Sequence, residues 1–325
     1  MKSLLSSALL VLSAVTAADT AGTQPYPTRP VTFVVPFAPG GGTEFLARLL
    51  GQRLEQRLGK PFVVENRPGA GGVTGAVSVA RAAPDGYTIL MAPAPVMAIN
   101  ISLHKKLPYD PVGDFVPLAL VVSSPYVLVV NPSLQVHTVS DLIRHAKDRP
   151  GRLSFASAGP GTPHHLFPQL FKTLTGIEMN HVPYRGSVPA LTDVAAGHVE
   201  LMFSDIPPAL SLINDGKVRA LGVSTKERVP VLPQLAPIAE QGVAGFDVAS
   251  WQMVVAPAAT PKDIVERLHT EIKDFMVRPE VKQHVAQMGL LPIDTPSVAN
   301  LPIFVRTEIA QWSNVVEQAG IAGSQ

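Results

Sequence analysis

At 325 residues, 46% hydrophobic and 16% charged, the chain has the length of two α/β domains and enough apolar side chains for a sizeable core. A formal net charge of +1, with no run of like charges, excludes nucleic acid as a partner, because phosphate binding needs a basic patch. The lack of any cysteine excludes a disulfide framework, a cysteine nucleophile and a lipid-modified cysteine.

The first element is a targeting segment. Lys2 supplies the positive charge, Leu4 to Val15 is mostly apolar, and Val15-Thr16-Ala17 offers small residues for cleavage, so residues 1–17 are expected to be a signal peptide. The apolar stretch is too short to span a bilayer as a helix, and nothing later is long enough either. An exported, periplasmic protein is expected. Ala18 to Arg29 reads as a polar tether.

The chain is organised around Val31 to Leu58. Val31 to Phe37 is a near-continuous apolar run, the pattern of a strand covered on both faces. Pro39 stops it. Gly40, Gly41 and Gly42 can leave backbone N–H groups bare, Thr43 can cap a helix, and Phe45, Leu46, Leu49, Leu50, Leu54 and Leu58 repeat at helical spacing up to Gly59. A helix start with unpaired N–H groups favours a carboxylate or phosphate. A glycine turn without ligand has the same pattern.

A second unit follows, with a strand at Phe62 to Glu65 and a small-residue helix from Val73 to Ala82. Gly69, Gly71 and Gly75 approach a dinucleotide fingerprint, but the spacing is GxGxxxG. The next strand, Tyr87 to Met91, ends in Ala92-Pro93-Ala94-Pro95 without the acid that would hold a ribose. Close backbone packing is the expected role of these glycines, and no cofactor is expected. Phe115 to Val122 and Tyr126 to Val130 flank Ser123-Ser124-Pro125, a candidate hinge. Thr138 and Asp141 form a capping-box start for the helix that Pro150-Gly151 ends.

The opening motif then recurs. Leu153 to Ala156 is a strand, Ser157 to Gly161 a turn, and Thr162-Pro163 a helix entry that runs to Gly176. The hydroxyls of Ser157 and Thr162 can add donors there. Two such corners, one per domain, can face each other across a cleft. His181 to Gly186 leads into a helix capped by Ser187, and Val199 to Phe203 is a strand ending in Ser204-Asp205. Asp205 stands where open α/β sheets bind ligands, or caps the next helix. Pro230 to Gly245 reads as a connection, Phe246 to Ala256 returns to the first domain, and helices over 261–276, 279–288 and 298–318 complete it.

Catalytic signatures are missing. There is no GxSxG elbow, Walker loop or HExxH. His164 and His165 are adjacent on a helix, about 100° apart, which is poor geometry for chelating one metal. One should pack while the other lines the turn.

The sequence resembles the Bug receptors, the extracytoplasmic solute-binding proteins of tripartite tricarboxylate transporters, over essentially the whole mature chain. The matching stretches are Tyr26 to Pro30, Val35 to Thr43, Val64 to Gly72, Ala83 to Thr88, Leu107 to Pro111, His181 to Gly186 and Ala256 to Pro261. The resemblance implies a two-domain flytrap, each domain a mostly parallel sheet flanked by helices: residues 25–124 with 247–325, and 125–246. It implies a monomer that holds a small carboxylate in the cleft and is read by transporter subunits or a sensor, with no metal. Carried over, the site is Phe37, Gly41, Gly42, Thr43, Ala92, Ala94, Ser157, Gly161, Thr162, His164, Tyr184 and Asp205. Glu44 stands where aspartate is common, Ala92 to Pro95 removes polar groups, and Pro168 should bend or split its helix. A ligand with an apolar or aromatic far end is therefore expected rather than a tricarboxylate. The alternatives are an exported enzyme acting on small carboxylates, with Asp205 or a histidine as base, and a nicotinamide-dependent oxidoreductase, which the missing acid opposes.

Overall fold

The structure is a computed structural model that describes residues 26–325, so the expected leader and residues 18–25 of the tether lie outside the described residues. In chain order it runs β1 (Val31–Val35), α1 (Gly42–Leu58), β2 (Phe62–Asn66), α2 (Val73–Ala80), β3 (Thr88–Pro93), a wide helical turn Pro95–Ile99 and α3 (Asn100–Leu103). Next come β4 (Phe115–Ser124), β5 (Tyr126–Val130), α4 (Val139–Asp148), β6 (Leu153–Ser157), α5 (Pro163–Thr175), β7 (Met179–Pro183) and α6 (Ser187–Ala196). β8 (Leu201–Asp205), α7 (Ile206–Asn214), β9 (Arg219–Val223), β10 (Ser250–Pro257), α8 (Lys262–Met276), α9 (Pro279–Gln287), β11 (Leu291–Pro292) and α10 (Leu301–Gln318) complete the chain.

These elements form two mixed sheets, ordered β11-β4-β10-β3-β1-β2 and β7-β6-β8-β5-β9. The parallel part is confined to β2-β1-β3 and β7-β6-β8. Strands β10 and β5 enter from the opposite sheet and therefore pair antiparallel to their neighbours. Pro125 breaks the ladder where β4 becomes β5, and β10 returns alongside β4 from Ser250 opposite Ser124. Buried Ser224 ties the two crossings together: its Oγ accepts from Tyr126 N at 2.9 Å and donates to Val248 O at 2.6 Å.

β1 is buried on both faces, as its unbroken apolar run requires. Phe33 packs with Leu46, Leu50, Leu268 and Ile272 beneath α1 and α8, whereas Val34 faces Ala76 and Val79 of α2. In the second sheet Val127 and Val129 face the cluster that includes Ile206 and Ala209 of α7, and Phe155 and Phe203 meet Phe167 and Phe171 of α5. The Phe167 ring stacks on Trp312 at 6.1 Å, which links α5 to the C-terminal helix of the other lobe.

Local signals held at several ends. Gly59 and Gly176 take left-handed conformations with φ of 72° and 69°, and Thr138 with Asp141 closes a full capping box. Thr43 does not cap α1, because the turn carries the N-cap back to Gly41; Ser187 is likewise the first residue of α6, after Gly186. Pro168 leaves α5 a single helix, since one missing N–H removes one rung and its ring is buried.

Candidate functional site

The cleft lies where strands of both sheets give way to helices. The N-termini of α1, α5, α6 and α7 converge on one cavity, lined by residues 41–44 of the first, 162–164 of the second, Gly186 and Ser187 of the third and Asp205 before the fourth. Four helix starts concentrate partial positive charge there without a lysine or arginine side chain in the lining. The cavity is small, about 40 Å³.

The first corner is pre-shaped by Glu44. Its carboxylate accepts from Gly40 N at 2.6 Å and from Arg48 Nε and Nη2 at 2.9 and 2.6 Å, folding the glycine turn onto the first turn of α1. Burial would raise the Glu44 pKa, but the Gly40 amide and Arg48 outweigh it and the group is held below its ordinary range. The Asn66 side chain donates to Phe37 O at 2.9 Å and fixes the other end of the turn. The N–H groups of Gly41, Gly42 and Thr43 have no acceptor among the described residues, as the first amides of a helix should. Gln252 Nε2 donates to Thr43 Oγ1 at 3.1 Å, which leaves the Thr43 proton free to donate.

The second corner is more self-contained. Ser157 Oγ lies 2.6 Å from His181 Nε2 and accepts from Gly159 N at 3.0 Å, while Thr162 Oγ1 donates to Gly159 O at 2.7 Å. The expected contribution of these hydroxyls to the cleft is thus corrected: Ser157 is engaged by His181 of β7 and Thr162 by Gly159 within the turn. His164 and His165 split as their spacing demands. His165 Nδ1 accepts from Gly161 N at 3.3 Å and its ring stacks on His181 with centroids 4.1 Å apart, whereas His164 turns into the cavity with Nε2 3.2 Å from Asp205 Oδ2. Burial would raise the Asp205 pKa; His164, then Ser187 and Tyr126, reverse this and lower it. Burial and the Asp205 charge push the Tyr126 hydroxyl well above its ordinary range.

Of the sequence-derived residues, Phe37, Gly41, Gly42, Thr43, Thr162, His164 and Asp205 line this one cavity. Ala92, Ala94, Ser157, Gly161 and Tyr184 do not. Ala92 and Ala94 are fully buried in the core, and Pro93 and Pro95 supply that wall. Gly161 faces Leu103 and Asn100 of the opposite lobe, and Tyr184 donates to Asp193 at 2.7 Å, away from the lining. Asp205 occupies the N-cap position of α7 without a side-chain cap bond, its carboxylate being turned to His164. Gly75 comes so close to Pro36 that an added methyl would sit 2.8 Å away, which accounts for one fingerprint glycine as packing. Lining residues that the sequence did not announce include Tyr126, Ser187, Ser250 and Gln252. The one available signal was a lone glutamine in the apolar run Trp251 to Ala256.

Comparison with known proteins follows the same lines. Residues 46–321 match the model of the tripartite tricarboxylate transporter family receptor. Protein BugT of Bordetella pertussis is 37% identical over 311 residues, covering 95% of this chain and 93% of its own. A UPF0065 protein from a tcbD-tcbE intergenic region of Pseudomonas sp. strain P51 is 37% identical over 301 residues, 92% and 89% of the two chains. Among solved structures, R. palustris Rpa4515 with adipate superposes with a TM-score of 0.89 at 40% identity, covering 91% of this chain and 99% of that one. MatC from Rhodopseudomonas palustris with bound malate gives 0.84 at 33% identity over 90% and 100%.

Proposed function

The chain belongs to the tripartite tricarboxylate transporter receptor family, and from that premise we propose that it is an extracytoplasmic receptor that captures a small carboxylate between two lobes and releases it unaltered. The lobes are residues 25–124 with 247–325, and 125–246. The observation that carries the reading is the unpaired N–H row of Gly41, Gly42 and Thr43 at the start of α1, facing α5, α6 and α7 across one cavity. In this reading the ligand carboxylate takes those three amides and the Thr43 hydroxyl. Four charge-assisted bonds of roughly 1.5–3 kcal/mol each supply about 6–12 kcal/mol, and burial of the ligand's carbon body adds what a micromolar complex, about −8 kcal/mol, needs once association costs are met. Groups that meet the ligand only when the lobes touch shift the equilibrium toward the closed form, which a membrane transporter or a sensor then reads.

The relatives with adipate and malate bound support the carboxylate class. Pro93 and Pro95 in the wall favour a ligand with an apolar body over a tricarboxylate. Export by the leader, a monomeric state and the absence of turnover belong to the same proposal. Its test is calorimetric titration with a panel of aliphatic and aromatic carboxylates, followed by mass analysis of the recovered ligand. Saturable binding of a carboxylate returned unchanged is expected. Conversion to product, or binding of citrate in preference to every mono- and diacid, contradicts it.

A further inference from the structure

Two polar atoms in the cleft wall are buried and have no hydrogen-bond partner among the described residues: His164 Nδ1 and Gln252 Oε1. Their residues are 5% and 7% exposed, and both line the cavity. The opposite end of each side chain is already fixed, His164 Nε2 against Asp205 and Gln252 Nε2 against Thr43. An ionised carboxylate only accepts, so Nε2 of His164 carries a proton, and a ring holding that one proton presents Nδ1 as a lone pair. The free Gln252 atom is an amide oxygen. The wall therefore offers two acceptors, and a buried acceptor left unpaired is unfavourable.

The charges point the same way. Glu44 and Asp205 both line the cavity, Glu44 neutralised by Arg48 outside the lining, and the sole lining side chain that could carry positive charge is the imidazole that Asp205 already engages. A second carboxylate on the ligand would enter beside Asp205 and find acceptors where it needs donors.

Building on the receptor reading above, we propose that the ligand is a monocarboxylate that also carries a neutral hydrogen-bond donor, a hydroxyl or amide N–H, read by His164 Nδ1 and Gln252 Oε1. Asp205 is the positioning residue that holds the imidazole in the accepting tautomer. Pro93 and Pro95 pack against the carbon skeleton.

The test is a titration series in which only the far end changes: hexanoate, 6-hydroxyhexanoate, adipic acid monoamide and adipate, with the shorter and longer homologues of each. At the best-fitting length the hydroxyl or amide member binds at least tenfold tighter than both the plain acid and the diacid, because a site built to bond a donor rejects the analogue lacking it. His164→Phe and Gln252→Leu each shrink the ratio of donor-bearing to plain acid several-fold. That ratio is read within one protein, so general weakening cancels. Tightest binding by the diacid, equal binding by plain and donor-bearing acids, or an unchanged ratio in both variants overturns the proposal while leaving the receptor reading standing. Binding by no member of any length removes the receptor reading itself, and the proposal with it.

Discussion

The His165–His181 stack behind the second corner makes stability depend on pH in a defined direction. Burial, reinforced by Lys172, lowers His165 to about 4, and burial, then His165 and Lys172, lowers His181 to about 4. The rings stack at 4.1 Å, His181 continues onto Phe155 at 5.0 Å, and Ser157 Oγ and Gly161 N hold the two imidazoles in place. In the unfolded chain both titrate near 6.5. The folded protein therefore binds fewer protons between these values. Stability is full above about pH 6.5, falls as the pH drops towards 4, and stays lowered below that. For one such histidine the loss near pH 5 is about 2 kcal/mol, from the ratio of the two protonation polynomials. Carboxylates also weaken the fold in acid, so the informative quantity is a difference. Urea unfolding of the parent chain and of His181→Gln near pH 7 and pH 5 should show the parent's advantage shrinking by about 2 kcal/mol, because the variant has one less histidine to keep neutral. An advantage that stays constant across that range would refute the reasoning.

Gly161→Ala places a methyl 2.5 Å from Leu103 Cδ1 of the opposite lobe at a φ of 75°, so it should cost about 1–2 kcal/mol of stability and weaken ligand binding by roughly tenfold, the second effect arising only when the lobes touch. Thermal unfolding and calorimetry separate the two, and unchanged affinity would mean that closure at this point is irrelevant. Ser224→Ala leaves Tyr126 N and Val248 O without their shared hydroxyl and should cost about 1–3 kcal/mol in urea unfolding; a neutral effect would show that the crossings do not need this tie.

Much of the framework was legible because it rests on local chemistry. The unbroken run Val31 to Phe37 requires cover on both faces, and Gly59 and Gly176 close their helices where periodicity stops. The recurrence of that corner at Ser157 to Thr162 suggested two facing turns, and the resemblance added the carboxylate ligand. What sequence reasoning missed follows from side-chain direction and from distant partners. It named Ala92 and Ala94 where Pro93 and Pro95 face the cavity, and it turned the Ser157 hydroxyl outward although His181, across the parallel pair β6–β7, takes it inward. Gln252 reaches Thr43 from 209 residues away, on the returning strand β10, a distance no local motif encodes. The capping role given to Thr43 failed because Glu44 captures Gly40 and draws the turn back by two residues.

The central claim is that the N-terminal amides of α1 hold the ligand's carboxylate. A crystal structure with the tightest-binding carboxylate from the panel tests it most directly. The account predicts carboxylate oxygens within hydrogen-bond distance, about 2.7–3.2 Å, of the Gly41, Gly42 or Thr43 amides, with the second corner closed over them. A carboxylate lodged elsewhere, with those three amides facing only solvent, would contradict it.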